Sequence, residues 1–358
     1  MLSTDLQTFG LRLEDPSVGV QSRRGGAGPS DHKAVVVDGQ TVMIPVHTHT
    51  AWDSPYVASK PDAHGKSELR KNGIPIAVID FPKQPKFYGL KTEEGIPYEQ
   101  IATLHSSDVL ATTVLQTCIR YQSRNKTCKF CSIGQSLAAG RTVERKTPRQ
   151  LAEVAKAAVE LDGVKQMVMT TGTPATPDRG AAIMVESVLA VKAAVDLPIQ
   201  VQIEPPDRFE WFDELKKSGA DTLGMHLEVV SDAVRQAIMP GKATVPVSYY
   251  MQAFDAAVKV FGRGQVSTYI IAGLGDTQSE IVDMCRELIQ RGVYPFVVPF
   301  VPISGTPLES HPVPGSEFMR EVLQPVGQML READLLSKDM KAGCGKCGAC
   351  STLKTFEA

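Results

Sequence analysis

The chain has no surplus of charge: 38 basic residues stand against 40 acidic ones, a net charge of −2. No bulk field draws it to nucleic acid or to an anionic membrane surface. It has no run of eighteen apolar residues, so no transmembrane helix is expected. Its start, Met-Leu-Ser-Thr-Asp-Leu-Gln, lacks a basic region followed by an apolar one, so no signal peptide is expected either. Two nucleotide signatures are also missing. The glycine-rich run Arg23-Arg-Gly-Gly-Ala-Gly-Pro29 is not followed by Gly-Lys-Ser/Thr, and no Gly-x-Gly-x-x-Gly follows the first strand of the βα region. That run reads as a basic turn, with contact to a substrate anion as a weaker alternative. A disulfide framework is absent too. Of seven cysteines, six fall in two tight clusters, the pattern of metal ligands in a reducing cytoplasm. Cys285, alone in a helical pattern, reads as core.

What the chain does have is sulfur in two places. Cys118, Cys128 and Cys131 lie within fourteen residues, just after the apolar run Val109 to Leu115. That run is short and rich in Val, Thr and Leu, so it reads as a buried strand. The cysteines then sit on a loop leaving a strand's carboxyl end, where α/β folds bind ligands. Three soft thiolates suit an iron–sulfur cluster or zinc. Structural zinc wants a fourth protein ligand, and none lies nearby; a cubane on three thiolates leaves one iron for a small molecule. Three inert buried cysteines are the plain alternative, but free cysteines seldom cluster. The intervening Ile119 to Thr127 holds Arg120, Arg124 and Lys126 and no acid. That favours an anionic group or a reduced cluster nearby, or else is simply a solvated basic loop.

The second cluster is Gly343-Cys344-Gly-Lys-Cys347-Gly-Ala-Cys350. Glycine lets backbone wrap a cluster, and two-residue spacings let thiolates converge. An auxiliary [4Fe-4S] cluster on Cys344, Cys347 and Cys350 is the leading reading, zinc the second, and a loose tail with reactive thiols the third. An open site there would bind substrate, supply sulfur or pass an electron.

Between the clusters, strand and helix signals alternate. Strands are expected at Val109 to Leu115, Val164 to Thr170, Ile199 to Ile203, Asp221 to Leu227, Val266 to Ile271 and Val293 to Val301. Thr147-Pro148 opens the first helix with an N-cap and an early proline, and Gly163 closes it. Six such units imply parallel strands with right-handed crossovers. The fold class is therefore α/β: a partial (β/α)6 TIM-type barrel with an N-terminal β-containing extension and a Cys-rich C-terminal tail, a doubly wound sheet being the alternative. The expected divisions are 1–105 for the extension wrapping the barrel, 106–312 for the core barrel and 313–358 for the last helix and tail. In the extension, Asp38-Gly39 reads as a hairpin turn between Ala34 to Val37 and Thr41 to Val46. Ile76 to Ile79 reads as a further strand, and His47 to Gly65 as irregular wrapping chain. Histidines 32, 47, 49 and 64 are spaced too irregularly to read as metal ligands.

Polar residues recur just past each expected strand. They are the cysteine loop, Thr170-Thr-Gly-Thr-Pro174, Glu204-Pro-Pro206, His226-Leu-Glu228, Gly273-Leu-Gly-Asp276 and Pro302-Ile-Ser-Gly-Thr-Pro307. In a barrel this edge faces the active site. Each could singly be a cap or turn; Asp276-Thr277 makes a good helix N-cap.

Cys128-Lys129-Phe130-Cys131 resembles the second half of the radical S-adenosylmethionine (SAM) signature, in which an aromatic residue precedes the last cysteine. The family usually has three residues between its first two cysteines; here there are nine. The resemblance extends over about Val109 to Pro307. It implies that Cys118, Cys128 and Cys131 hold a catalytic [4Fe-4S] cluster whose fourth iron SAM chelates. Thr171-Gly172-Thr173 stands where the family often has Gly-Gly-Glu, so the acid is missing and a hydroxyl or carbonyl must serve the SAM amine. The stretch from Leu227 to Arg235, then Pro240-Gly-Lys242, is similar to the biotin and lipoyl synthase branch. By that match Glu228 bonds the SAM ribose or amine and Arg235 its carboxylate. Glu204 lies near the ribose, and adenine packs by Phe130 and the Gly273 turn. The whole chain looks closest to biotin-synthase-like radical SAM proteins found with nitrilase gene clusters. The resemblance implies a cytoplasmic enzyme that makes a 5′-deoxyadenosyl radical and takes electrons from a flavodoxin or ferredoxin-type donor. Its substrate would be a small, nitrogen-containing or nitrile-related metabolite. Sulfur insertion is the alternative chemistry, and a non-catalytic iron–sulfur or zinc protein the alternative class.

Overall fold

The computed structural model describes residues 2–22, 30–121, 123 and 125–357. The basic run Arg23 to Pro29 and Arg124 lie outside the described residues. Two sheets organise the chain. The first has strand order β1-β4-β5-β6-β2-β3, with β1 Arg12–Leu13, β2 His32–Val37, β3 Gln40–Pro45, β4 Tyr56–Ala58, β5 Lys66–Lys71 and β6 Ile74–Asp80. Asp38 and Gly39, both at positive φ, make the tight turn between β2 and β3. The span His47 to Gly65, expected to be irregular, instead contains the short helix His49–Trp52 and β4. β5 was not expected at all. Its run Lys-Ser-Glu-Leu-Arg-Lys carries few strand formers, yet Ser67 and Leu69 alternate inward onto the core.

The second sheet is the barrel wall, ordered β13-β12-β11-β10-β9-β8-β7. Its strands are β7 Thr103–His105, β8 Val109–Thr113, β9 Gln166–Thr170, β10 Ile199–Gln202, β11 Thr222–Gly224, β12 Val266–Ala272 and β13 Val293–Pro299. From β8 to β13 every pairing is parallel, and β7 adds an antiparallel edge strand. The curled wall, with helices outside it, is the partial TIM-type barrel read from the sequence. Residues in β8 and β10 are buried throughout, as strands covered on both faces must be.

Local sequence explains the helices. Thr147 caps Pro148–Asp162 in a capping box with Gln150, and Gly163 ends it in the left-handed conformation. Thr277 and Glu280 do the same for Gln278–Gln290. Of the Asp276-Thr277 pair expected to cap this helix, Thr277 is the N-cap, and Asp276 accepts the Val230 and Ser231 amides at 2.7 and 2.9 Å, ahead of the helix Asp232–Ile238. Cys285 is fully buried in the core.

The tail returns beneath the barrel. The Gly343 and Cys344 amides donate to Gln166 and Gln200, at or near the starts of β9 and β10, and Thr222 at the start of β11 donates to the Ala342 carbonyl. On its other side Ala349 accepts from the Met43 amide of β3 and from Gln7. The tail thus closes the amino end of the barrel and ties it to the first sheet.

Candidate active site

The cysteine loop crosses the carboxyl ends of the strands. Its path is held by backbone bonds: Ile119 N–H to the Thr173 carbonyl at 2.9 Å, Lys129 N–H to Ile238 at 2.9 Å, and Gly241 N–H to Lys126 at 3.1 Å. Gly172 is required here, because a Cβ would sit 2.1 Å from the Thr117 carbonyl oxygen. The strand-two segment therefore positions the cysteine loop by close approach. Burial pushes the Cys128 thiol up well above its usual range and that of Cys131 up to about 12. Such thiols lose their protons when a metal takes them.

Beside these cysteines lies a cleft of about 270 Å³ lined by all three thiols and by Arg120, Glu204, Glu228 and Lys242. Arg120 clamps Glu204 through two hydrogen bonds of 2.7 Å and also donates to the Gly241 carbonyl. Thr173 donates to the same carboxylate at 2.8 Å. Burial opposes the Glu204 charge, but Arg120, Lys242 and Thr173 together hold the carboxyl below its ordinary value. Lys242 Nζ meets Glu228 at 2.7 Å. Burial works against that ammonium more than any one neighbour favours it, but Glu228, Tyr250, Glu204 and Cys128 together push the lysine up. Glu228 itself sits at φ 66°, in the left-handed region that a glutamate rarely adopts. The strain has a visible source. β11 ends at Gly224, and the chain rejoins β12 only at a bridge between Glu228 and Ile270. Asp221 to Leu227 is therefore not the continuous strand expected; the interruption turns His226 and Glu228 inward.

Several expected residues line the cleft: Phe130, Thr171, Gly172, Glu204 and Glu228 with the three cysteines. Arg235 and Gly273 do not. Arg235 is 1% exposed, and its guanidinium is consumed by the carbonyls of Leu227, Val229 and Val245 at 2.9–3.1 Å. It braces the Glu228 segment from behind. Arg235 thus does not reach the cleft, and among the described residues Lys242 and Arg120 are the cations that line it. Lys242 carried a signal, the Pro-Gly-Lys run, but no assigned role. Gly273 turns at φ 100° with Pro314 packed where its Cβ would be, and its carbonyl faces His311 at 3.0 Å.

A second cavity of about 360 Å³ lies deeper in the barrel. Phe130, Cys131, Gln202, His226 and Glu228 line both cavities, so they form the wall and doorway between them. Cys344, Cys347 and Cys350 line the deep chamber from the amino end. Gly343 makes this entry possible: it sits at φ 109°, and a Cβ there would clash with the Gln200 side chain. Burial pushes all three tail thiols up, Cys347 to about 12. Gln202 Nε2 lies 3.2 Å from the Cys344 sulfur, Tyr269 hydrogen-bonds Cys344 and Cys350, and His105 Nε2 lies 3.4 Å from the Cys350 sulfur. Tyr269 is itself pushed up by burial and then by Cys344. His226 is lowered to about 3 by burial, then by Lys242, and so is neutral. Its Nδ1 accepts the Tyr269 amide at 3.3 Å, which leaves the ring proton on Nε2 as a donor. Among the described residues no three His, Cys, Asp or Glu side chains converge as they would around a single ion. A cubane spreads its thiolates over separate irons, and three-thiol sets around open volumes fit that demand.

Residues 124–288 match the model of the Radical SAM superfamily, a span that takes in Cys128 and Cys131 and begins after Cys118. The chain is 26% identical over 282 residues to the bacteriochlorophyllide c C-7(1)-hydroxylase of Chlorobaculum limnaeum, covering 72% of this chain and 70% of that protein. It is 25% identical over 175 residues to a lipoyl synthase of Parabacteroides distasonis, covering 47% and 57% respectively. Methylornithine synthase (PylB) shares the fold at a TM-score of 0.50 and 17% identity, over 75% of this chain and 77% of that one. The cofactors of this superfamily are a [4Fe-4S] cluster and SAM, and the cysteine loop with its charged cleft supplies donors for both. Residues 124–288 thus carry the likeness to the Radical SAM superfamily, and the chain is an enzyme.

Proposed function

We propose that the chain cleaves SAM reductively at Cys118, Cys128 and Cys131 and acts on a small, largely apolar metabolite held in the deep chamber. When bound, the cluster and SAM supply an electron, methionine and a 5′-deoxyadenosyl radical that abstracts a substrate hydrogen. The observation that carries the reading is the shared wall. Phe130, Gln202, His226 and Glu228 face both the charged cleft and the chamber. A radical formed in the cleft would thus meet its substrate across a few side chains, away from water.

The residues divide the work. Lys242 and Arg120 answer a carboxylate in the cleft, and Glu228 and Glu204 answer an ammonium or ribose hydroxyls. Phe130 offers an apolar face to the adenine. His226 Nε2–H donates to an acceptor on the substrate. The tail cysteines hold an auxiliary [4Fe-4S] cluster at the far side of the chamber. The resemblance to the nitrilase-associated, biotin-synthase-like branch supports a nitrogen-containing or nitrile-related substrate in the cytoplasm, with a flavodoxin or ferredoxin-type electron donor. Sulfur insertion is the second reading, and its support is the tail thiols lining the substrate chamber.

The test is anaerobic turnover of reconstituted protein with dithionite, SAM and deuterated candidate metabolites. Deuterium appearing in 5′-deoxyadenosine supports the reading. Absence of 5′-deoxyadenosine from a chain with a fully loaded cluster would falsify it.

A further inference from the structure

We infer that the substrate enters the deep chamber through a second mouth, away from the SAM cleft, and carries an anionic group that stays in that mouth beside Lys33 and Lys83. The inference rests on the chamber reading above and adds a substrate class to it: an amphipathic anion, such as a carboxylate on an apolar body.

The mouth is a cavity of about 530 Å³ between the first sheet and the barrel edge. His32 of β2, Met43 of β3 and His105 of β7 line both this cavity and the deep chamber, so they form a doorway between the two. Among the described residues the outer cavity shares no lining residue with the cleft of the loop cysteines. Substrate could therefore come and go while SAM stays bound. Phe81, Pro82, Pro85 and Tyr88 give the outer cavity apolar walls. Its described lining includes Lys33 and Lys83 and no Asp or Glu. Neither ammonium has an ion-pair or hydrogen-bond partner among the described residues. Lys33 is half-buried, and burial alone pulls its ammonium down. An anion in the cavity would supply the counter-charge that the chain withholds.

The doorway sorts the two ends of such a molecule. Burial lowers His32 and His105 to about 4, so both rings are neutral. Met43 is buried between them and the first sheet's core, and its unbranched side chain can swing aside. The chamber beyond has no lysine or arginine in its described lining, while Glu228 and the tail thiols form part of its wall. An anion crossing the doorway would shed its water and find no cation. An apolar chain gains free energy by the same move. The charge thus stays outside, and the apolar body reaches towards the wall shared with the cleft.

The test is calorimetry on the fully reconstituted holoenzyme with octanoate and 1-octanol, probes of one length that differ in charge. Octanoate should bind roughly tenfold tighter or more, the gain of a charge-assisted contact, and saturating SAM should leave that affinity unchanged. Lys33→Met and Lys83→Met together should remove the advantage of octanoate. Affinity for 1-octanol and 5′-deoxyadenosine formation with dithionite should stay at the wild-type level in that variant. Val298→Phe, which fills the chamber, should weaken both probes; circular dichroism confirms that each variant is folded. Equal affinity for the two probes in the wild-type chain, or an advantage that survives the double substitution, would overturn the inference and leave the chamber reading in place. If that surviving advantage comes with slower SAM cleavage by reduced flavodoxin but not by dithionite, the lysines belong to an electron-donor surface instead. No binding of 1-octanol, or binding that Val298→Phe does not weaken, would overturn the chamber reading itself.

Discussion

The two cysteine triplets are alike in number and burial and opposite in surroundings. Among the described residues, the loop triplet borders a cleft with two cations and two carboxylates, paired as Arg120–Glu204 and Lys242–Glu228. The tail triplet lies in a chamber whose lining includes no lysine or arginine among the described residues; its close partners are Gln202, Tyr269 and His105. Burying ion pairs costs more than burying amides and rings. On the function proposed above, the two pairs beside the loop thiols would meet a ligand that carries both charges, as the amino acid end of SAM does, and the tail site would hold a metal whose charge its thiolates balance.

The largest test of that contrast is Cys128→Ala. It should abolish SAM cleavage and remove the loop cluster while the tail metal stays, as iron analysis and 5′-deoxyadenosine assay would show; Cys285→Ala should do neither. If Cys285→Ala abolishes cleavage, the ligand set is wrong.

Arg235→Ala comes next. It strips hydrogen bonds from three buried carbonyls, each worth about 1–3 kcal/mol when orphaned. A loss of at least about 3 kcal/mol in denaturant unfolding is expected, with SAM affinity nearly unchanged in the folded fraction. A chain of native stability with weakened SAM binding would return Arg235 to the role expected from the motif.

Lys242→Met and Glu228→Gln should each weaken SAM binding by roughly ten- to a hundredfold, the equivalent of about 1.5–3 kcal/mol for a charge-assisted bond. Iron content should hold constant. Calorimetry on the reconstituted protein measures this, and equal affinity in both variants would remove the cleft from SAM recognition.

The last effect concerns acid and is confined to low pH. Burial lowers His32 to about 4 from an ordinary 6.5. The unfolded chain then binds a proton that the folded chain refuses. Stability is fully present above pH 6.5 and falls as pH drops towards 4, by about 1.4 kcal/mol per pH unit from this group. His32→Gln should flatten that slope in unfolding curves taken between those values; an unaltered slope would mean that His32 is protonated in the fold.

The sequence and structure agree where local chemistry decides the outcome. Thr147 with Gln150, Gly163, and the Asp38-Gly39 turn act within a few residues, so their consequences were legible. The alternation of short apolar runs with capped helices was enough for the barrel. Three features were not legible, each for a physical reason. The charged β5 is held by its neighbours in the sheet rather than by its own propensity. Arg235 occupies its expected position, but which groups crowd it depends on how the interrupted strand folds over it. The placement of the tail under the barrel rests on glutamines at the starts of β9 and β10, Gln166 and Gln200, more than a hundred residues away. Nothing in the spacing of its cysteines pointed to them, or to His105.

Iron counting with Mössbauer spectroscopy tests the two-site account most directly. The wild-type chain, fully reconstituted without oxygen, should hold about eight irons, and Cys344, Cys347 and Cys350 substituted together with Ala should leave about four. The remaining iron should still respond to SAM. A wild-type chain that holds only about four irons, all lost when Cys118, Cys128 and Cys131 are replaced, would contradict it.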